Sequence, residues 1–156
     1  MLTKEYLKHT YANFHRSMPF FGSGLEESLE RITDEDLHRP VGHRTIGQLL
    51  EHMLAWRKEL AHRLLKEPHE RIQMNSPEDW PDPQGRTKAE YITEFAATRK
   101  RLETAFDQFD YSHLNDLLHK DYDYTNVELL EGGIQHDIYH LGQINMIAAL
   151  LKRDVE

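Results

Sequence analysis

Cysteine is absent from the 156 residues, and with it go disulfides, thiolate metal ligands and cysteine nucleophiles. Positive charge is in deficit: 19 Lys and Arg stand against 27 Asp and Glu, a formal net charge of −8. A phosphate backbone wants a basic stripe and none dominates, so no nucleic-acid partner is expected. No apolar run approaches the ~20 residues that span a bilayer. The N-terminal stretch is charged from Lys4 onward with no apolar segment behind it, so neither a membrane association nor a signal peptide is expected. Strand signals are scarce as well: no alternation is sustained, and no Asn-Gly or Asp-Gly turn joins two apolar runs. What remains, 38% hydrophobic and 29% charged residues, is the composition of a folded cytoplasmic protein and not of a disordered one. This length predicts one domain over residues 1–156, able to bury about two-thirds of its unfolded surface.

Helix punctuation is frequent. Capping boxes, in which Ser or Thr is followed three residues on by Glu or Gln, occur at Ser23/Glu26, Thr45/Gln48, Thr87/Glu90 and Thr125/Glu128. Behind Thr45 the apolar positions Ile46, Leu49, Leu50, Met53, Trp56, Leu60 and Leu64 form one face of a helix that stops before Pro68. Behind Thr87 come Tyr91, Phe95, Leu102, Phe106 and Phe109, with Arg99, Lys100 and Arg101 partly on the wet side. Behind Thr125 a longer stripe runs from Val127 and Leu130 through Ile134, Ile138, Leu141 and Ile144 to Leu151. Residues 3–18 carry Tyr6, Leu7, Tyr11 and Phe14; Pro19, Gly22 and Gly24 interrupt them, and helical spacing resumes over 25–32, which reads as one helix kinked near Pro19. Four such helices predict an all-α four-helix bundle. Residues 67–86, with Pro68, Pro77, Pro81 and Pro83, form a long connection that Trp80 is expected to pin to the bundle. A helix of ~22 residues is ~33 Å long, and a connection of that size can run its whole length. The second and third predicted helices can therefore be parallel.

The chain is rich in one residue that does chemistry: histidine, present eleven times. Only His136 and His140 are four apart, a spacing that stacks both imidazoles on one helical face within reach of one cation. Chance alone would give roughly 0.7 such pairs, so the weight comes from context: the pair lies beside the core-facing stripe, where an unpartnered imidazole is costly. A closed or catalytic site needs a third ligand. His52, one turn before Trp56 and next to Met53, fits best, with His9 and His15 as alternates. His38, His43, His69, His113 and His119 fall in predicted loops and His62 near a helix end. Three neutral imidazoles suit zinc or nickel with a position left open. The competing reading makes them core-edge histidines satisfied by neighbouring side chains.

Other signatures fail. There is no His-Glu-x-x-His, and of the two Glu-x-x-His matches that a di-iron bundle needs on separate helices, Glu59–His62 is helical while Glu35–His38 falls in a predicted loop. No phosphate-binding glycine-rich loop exists. Gly132, Gly133 and Gly142 are expected at close helix crossings. Trp56 is expected in the core, or as the wall of a pocket if a metal lies beside it.

The segment from Thr45 through His52 to Trp56 resembles the second-helix motif of the DinB/YfiT-like superfamily, and His136-Asp-Ile-Tyr-His140-Leu-Gly142-Gln143 resembles its fourth-helix motif. That resemblance implies an up-down-down-up bundle with a long crossover between the second and third helices. It implies a divalent-metal triad of His52, His136 and His140, usually zinc or nickel. It also implies a homodimer. Characterised members include S-transferases and isomerases that use low-molecular-weight thiols, and proposed hydrolases. The interruption over residues 19–24 departs from the smooth first helix of the family.

The leading expectation is accordingly a metal-dependent, thiol-dependent S-transferase acting on small electrophiles in detoxification or stress response. The alternatives are a hydrolase using metal-bound hydroxide and a non-catalytic, stress-associated binding protein. Gln143, about one turn beyond His140, can orient a ligand or simply face solvent, while Arg57 or Arg16 can supply a local basic patch for an anionic thiol.

Overall fold

The computed structural model describes residues 3–15, 22–118 and 123–153. Among these residues five α-helices form: α1 (Lys4–His15), α2 (Leu25–Glu30), α3 (Ile46–Leu65), α4 (Lys88–Gln108) and α5 (Asn126–Arg153). Among the described residues no strand accompanies them. Three helix starts follow from local chemistry. Thr45 and Thr87 each accept from the backbone N–H three residues on, while Gln48 and Glu90 reach back to the cap N–H. Thr125 and Glu128 make the same reciprocal pair. Each box satisfies donors that a helix start would leave unpaired. At the other end of α3, Lys66 adopts the left-handed conformation at φ 54°, and Pro68 follows, so the helix cannot continue.

The fourth box does not form. Gly24, not Ser23, caps α2, without a side-chain hydrogen bond. Its extended backbone, together with Gly22 at φ 112°, makes residues 25–30 a separate short helix rather than the resumption of a kinked one. Pro19 itself, like Arg16, Met18 and His119, lies outside the described residues.

Contacts fix the topology. Along α3 and α4, Gly47 meets Tyr91, Lys58 pairs with Glu94 and Glu67 with Arg101, so the two helices run parallel. Along α3 and α5 the order reverses: His52 meets His136, Leu60 abuts Gly133 and Arg63 reaches Tyr124 just ahead of α5. Helices α1 and α4 are antiparallel too, with Lys8 on Asp107 and His15 near Phe95. The result is an up-down-down-up four-helix bundle, with α2 as an accessory turn. Residues 66–87 run back along it as the crossover between α3 and α4.

The apolar interior falls into two clusters. One gathers Phe14, Leu50, Met53, Phe95 and Ile144; the other Leu7, Leu60, Leu102, Phe106 and Leu130. Each fully buried large apolar side chain contributes roughly 1.5–3 kcal/mol. Between the clusters lies a polar layer of His15, Arg57, Thr98 and Asp137, all at 5% exposure or less. Arg57 donates from Nε to Asp137 Oδ2 at 2.8 Å and from Nη1 to His15 Nε2 at 2.8 Å. Its guanidinium also lies 4.8 Å from the Phe95 ring centre and 4.9 Å from that of Phe14.

Candidate metal centre

His136 and His140 project from one face of α5, one turn apart, and His52 reaches them from the second turn of α3. A ring nitrogen of each lies within 4.8 Å of the other two. His52 and His140 are buried and His136 is half-buried. The pairing of Arg57 with Asp137, each within five residues of a site histidine, sets the rotation of α5 against α3 and so aims the imidazoles at one another.

Hydrogen bonding decides which nitrogens are available. His52 donates from Nδ1 to the backbone carbonyl of Asp79 at 2.7 Å, and its Nδ1 lies 3.0 Å from the Asp79 carboxylate. Oxygen acceptors of this kind place the proton on Nδ1 and leave Nε2 bare. His140 donates from Nδ1 to Gln143 Oε1 at 2.6 Å, with the same result. The Nε2 atoms of His52 and His136 face each other at 3.0 Å, where two lone pairs repel unless a proton or a cation lies between them. Ligand nitrogens about 2.0–2.1 Å from a tetrahedral ion stand about 3.3 Å apart; His52 and His136 are near that separation, and all three histidines offer a nitrogen within 4.8 Å of the others, the donor set of a three-nitrogen site. Burial lowers His140 to a pKa of about 4 and pushes His52 down in the same direction. Both imidazoles are therefore neutral at pH 7, the form a metal requires.

The long crossover completes the site. Asp79, 4% exposed, accepts from Trp56 Nε1 at 2.7 Å and from the Asn75 backbone at 2.7 Å. Trp80 stacks on His52 with ring centres 3.9 Å apart and an 8° tilt, and Arg44 lies over the Trp80 ring at 3.7 Å. Trp80 thus pins the connection as its sequence predicts, and it does so on the site itself. Asp79 escapes sequence reasoning altogether. It is 27 residues from His52, in a segment with no periodicity, and only the neighbouring Trp80 hints that this loop docks.

Several expectations change. Neither alternate ligand joins the cluster: His15 accepts from Arg57 in the polar layer, and the exposed His9 bonds to Asn13. Arg57 is no anion patch, because it is buried and paired with Asp137. Glu59 is no iron ligand; it bridges Arg63 and His69. Gly133 does sit at a close crossing, where a Cβ would meet Leu60 Cδ2 at 2.7 Å and the Tyr11 hydroxyl at 2.9 Å. Gly132 and Gly142 do not, since an added Cβ meets nothing within 4 Å at either. Ile138, placed in the core stripe by spacing, is 57% exposed, because α5 packs along a narrower face than its apolar content allows. Trp56 is a wall and not core: with His136, Leu60 and Gly132 it lines a cavity of about 360 Å³.

Comparison with known proteins agrees with this architecture. The chain superimposes on a conserved protein of Enterococcus faecalis, known from a crystal structure, with a TM-score of 0.67 and 16% identity over 94% of this chain and 93% of that one. The likeness is one of fold. No curated protein matches the sequence significantly. A sequence model of the DinB superfamily matches residues 23–144, a span that includes all three clustered histidines. The chain belongs to the DinB superfamily.

Proposed function

We propose that this protein is a divalent-metal-dependent S-transferase that joins a low-molecular-weight thiol, through its sulfur, to a small electrophile, in detoxification or stress response. The observation that carries the reading is the hydrogen-bonded disposition of the imidazoles. Asp79 and Gln143 take the Nδ1 protons of His52 and His140, which turns their Nε2 lone pairs, with a nitrogen of His136, toward one point. Neutral imidazole donors suit zinc or nickel. His52, His136 and His140 would hold such an ion, which would supply the Lewis acidity that makes a thiol or water acidic near neutral pH. The remaining work falls to the chain. Asp79 and Gln143 orient the ligands, Trp80 covers His52, and Trp56 excludes water on the side of His136.

Transfer is favoured over hydrolysis by the carboxylates around the cavity. Glu59 is engaged by Arg63 and His69, Glu128 by the Thr125 cap and Asp137 by Arg57. Hydrolysis calls for a group that protonates the leaving atom, and these are committed elsewhere, whereas a thiol that displaces a halide gives up its S–H proton to solvent and expels an anion that needs none. The same reading makes the protein a homodimer, as family membership suggests, and a cytoplasmic one, as its acidic composition suggests.

Elemental analysis of the purified protein beside His136→Ala tests the metal. The parent is expected to carry about one zinc or nickel ion and the variant almost none, and saturating metal at about 100 times Kd should stabilise only the parent, by roughly 2.7 kcal/mol. Thiol consumption with monochlorobimane then tests the transfer. Ester turnover without thiol would favour the hydrolase, and no metal in either protein would sink both.

A further inference from the structure

The cavity beside His136 extends along α5 from that residue back to Glu128, about 12 Å at 1.5 Å per residue, with Tyr124 lining it ahead of the helix start. At roughly 30 Å³ per liquid-packed heavy atom, its volume of about 360 Å³ holds a molecule of about a dozen non-hydrogen atoms. Its walls are apolar nearly throughout, formed by Trp56, Leu60, Leu129 and the backbone of Gly132 and Gly133. Its charged groups are all spoken for. Arg57 is bonded to Asp137 and His15, Arg63 to Glu59 and Tyr124, and Glu128 to Thr125. An anion entering here would meet only cations already paired with carboxylates, and an ammonium group only Asp137 and Glu59, each paired with an arginine, and the exposed Glu128 that Thr125 holds at the outer end, so either would lose its water for little in return.

Three buried polar atoms of the lining lack a hydrogen bond among the described residues: Arg57 Nη2 and Asp137 Oδ1, which belong to one ion pair, and the hydroxyl of Tyr11, which has no partner of any kind. The Tyr11 hydroxyl, on a side chain 1% exposed, makes no hydrogen bond among the described residues, and it faces the cavity floor at Gly133. Burial, and after it the Asp137 carboxylate, hold its pKa well above the ordinary phenol value. It is therefore a donor at every physiological pH.

We infer that this cavity is the electrophile's subsite, and that it takes an uncharged, largely apolar molecule bearing one hydrogen-bond acceptor for Tyr11. Its place as the electrophile's subsite rests on the metal-centre reading; its selection of an uncharged molecule does not. Gly132 sets the room available. A side chain there grows into open space and improves helix propensity, so it fills the cavity without straining the bundle.

Calorimetric titration of chelator-treated and zinc-loaded protein with three probes of matched size tests this: 4-phenylbutan-2-one, 3-phenylpropanoate and 3-phenylpropylammonium. The ketone is expected to bind both forms saturably, and about tenfold or more tightly than either ion. Gly132→Leu should weaken the ketone about tenfold or more while its melting temperature and zinc content stay at or above the parent's. Gly132→Ala, one carbon larger, should give a smaller loss in the same direction if the leucine variant does not fold. Tyr11→Phe should weaken the ketone about threefold to tenfold and leave butylbenzene unaffected. Equal binding of an ion, undiminished binding by folded Gly132→Leu, or no binding of the ketone to either form overturns the inference. Ketone binding by a protein that takes up no zinc would leave the inference standing and remove the metal reading instead.

Discussion

A histidine buried without charge makes folding sensitive to acid, and His15 is in that position. Burial, then the charges of Arg57 and Arg99, push it down to a pKa of about 2 from its ordinary 6.5. Below pH 6.5 the unfolded chain binds a proton that the folded chain refuses. The stability is therefore fully present above that pH and is lost as pH falls toward the folded pKa. Between pH 8 and pH 5 this one group should cost about 2 kcal/mol. Urea titrations at those two pH values, in chelator, should show the parent losing about that much more than His15→Asn, whose amide oxygen can still accept from Arg57. Equal losses in the two proteins would mean that His15 protonates freely when folded. At this scale the sequence exposes only part of what matters. His136 and His140 are legible because one helix carries both, whereas nothing local to His15 says that an arginine 42 residues away donates to it.

Among the elements, α5 holds the sharpest contrast in local consequence. Gly133 and Gly142 both read as packing glycines, yet only Gly133 faces a neighbour. Gly142→Ala should stabilise the protein by roughly 0.5–1 kcal/mol through helix propensity alone. Gly133→Ala sets the same gain against about 1–3 kcal/mol of overpacking on Leu60 and Tyr11, and should lower the melting temperature. Thermal scans of the two variants beside the parent check the pair; matching shifts would contradict the crossing. The long helices are legible because their caps and their 3.6-residue periodicity agree with each other. Where those signals part, the reading fails. Ser23 and Glu26 have the spacing of a box, but Gly24 takes the cap. Ile138 has the spacing of the core stripe but lies beyond the face that α3 covers.

Across the whole molecule, the crossover ties the parallel pair α3 and α4 to the site. Its length makes a parallel arrangement possible in the sequence, but that it also carries a site residue emerges only when Asp79 arrives beside His52. The Asp79 carboxylate holds the Asn75 backbone and Trp56 in place, and its own carbonyl fixes the His52 tautomer. Asp79→Ala should therefore lower zinc or nickel affinity about 10–100-fold, measured by competition with a chromophoric chelator, while the helical content by circular dichroism stays at the parent's. An unchanged affinity would show that the carbonyl alone suffices. The polar layer has a different reach. Apolar helix faces tolerate sliding, and a bundle that slipped by one turn, about 5.4 Å, would keep much of its hydrophobic contact. It would also strand the Asp137 carboxylate among leucines and pull His136 and His140 off His52. Polar groups inside a helical core can select one alignment in this way. Here the alignment they select is the one that assembles the three nitrogens, so metal uptake would count only correctly registered molecules and serve as a proofreading signal for the fold.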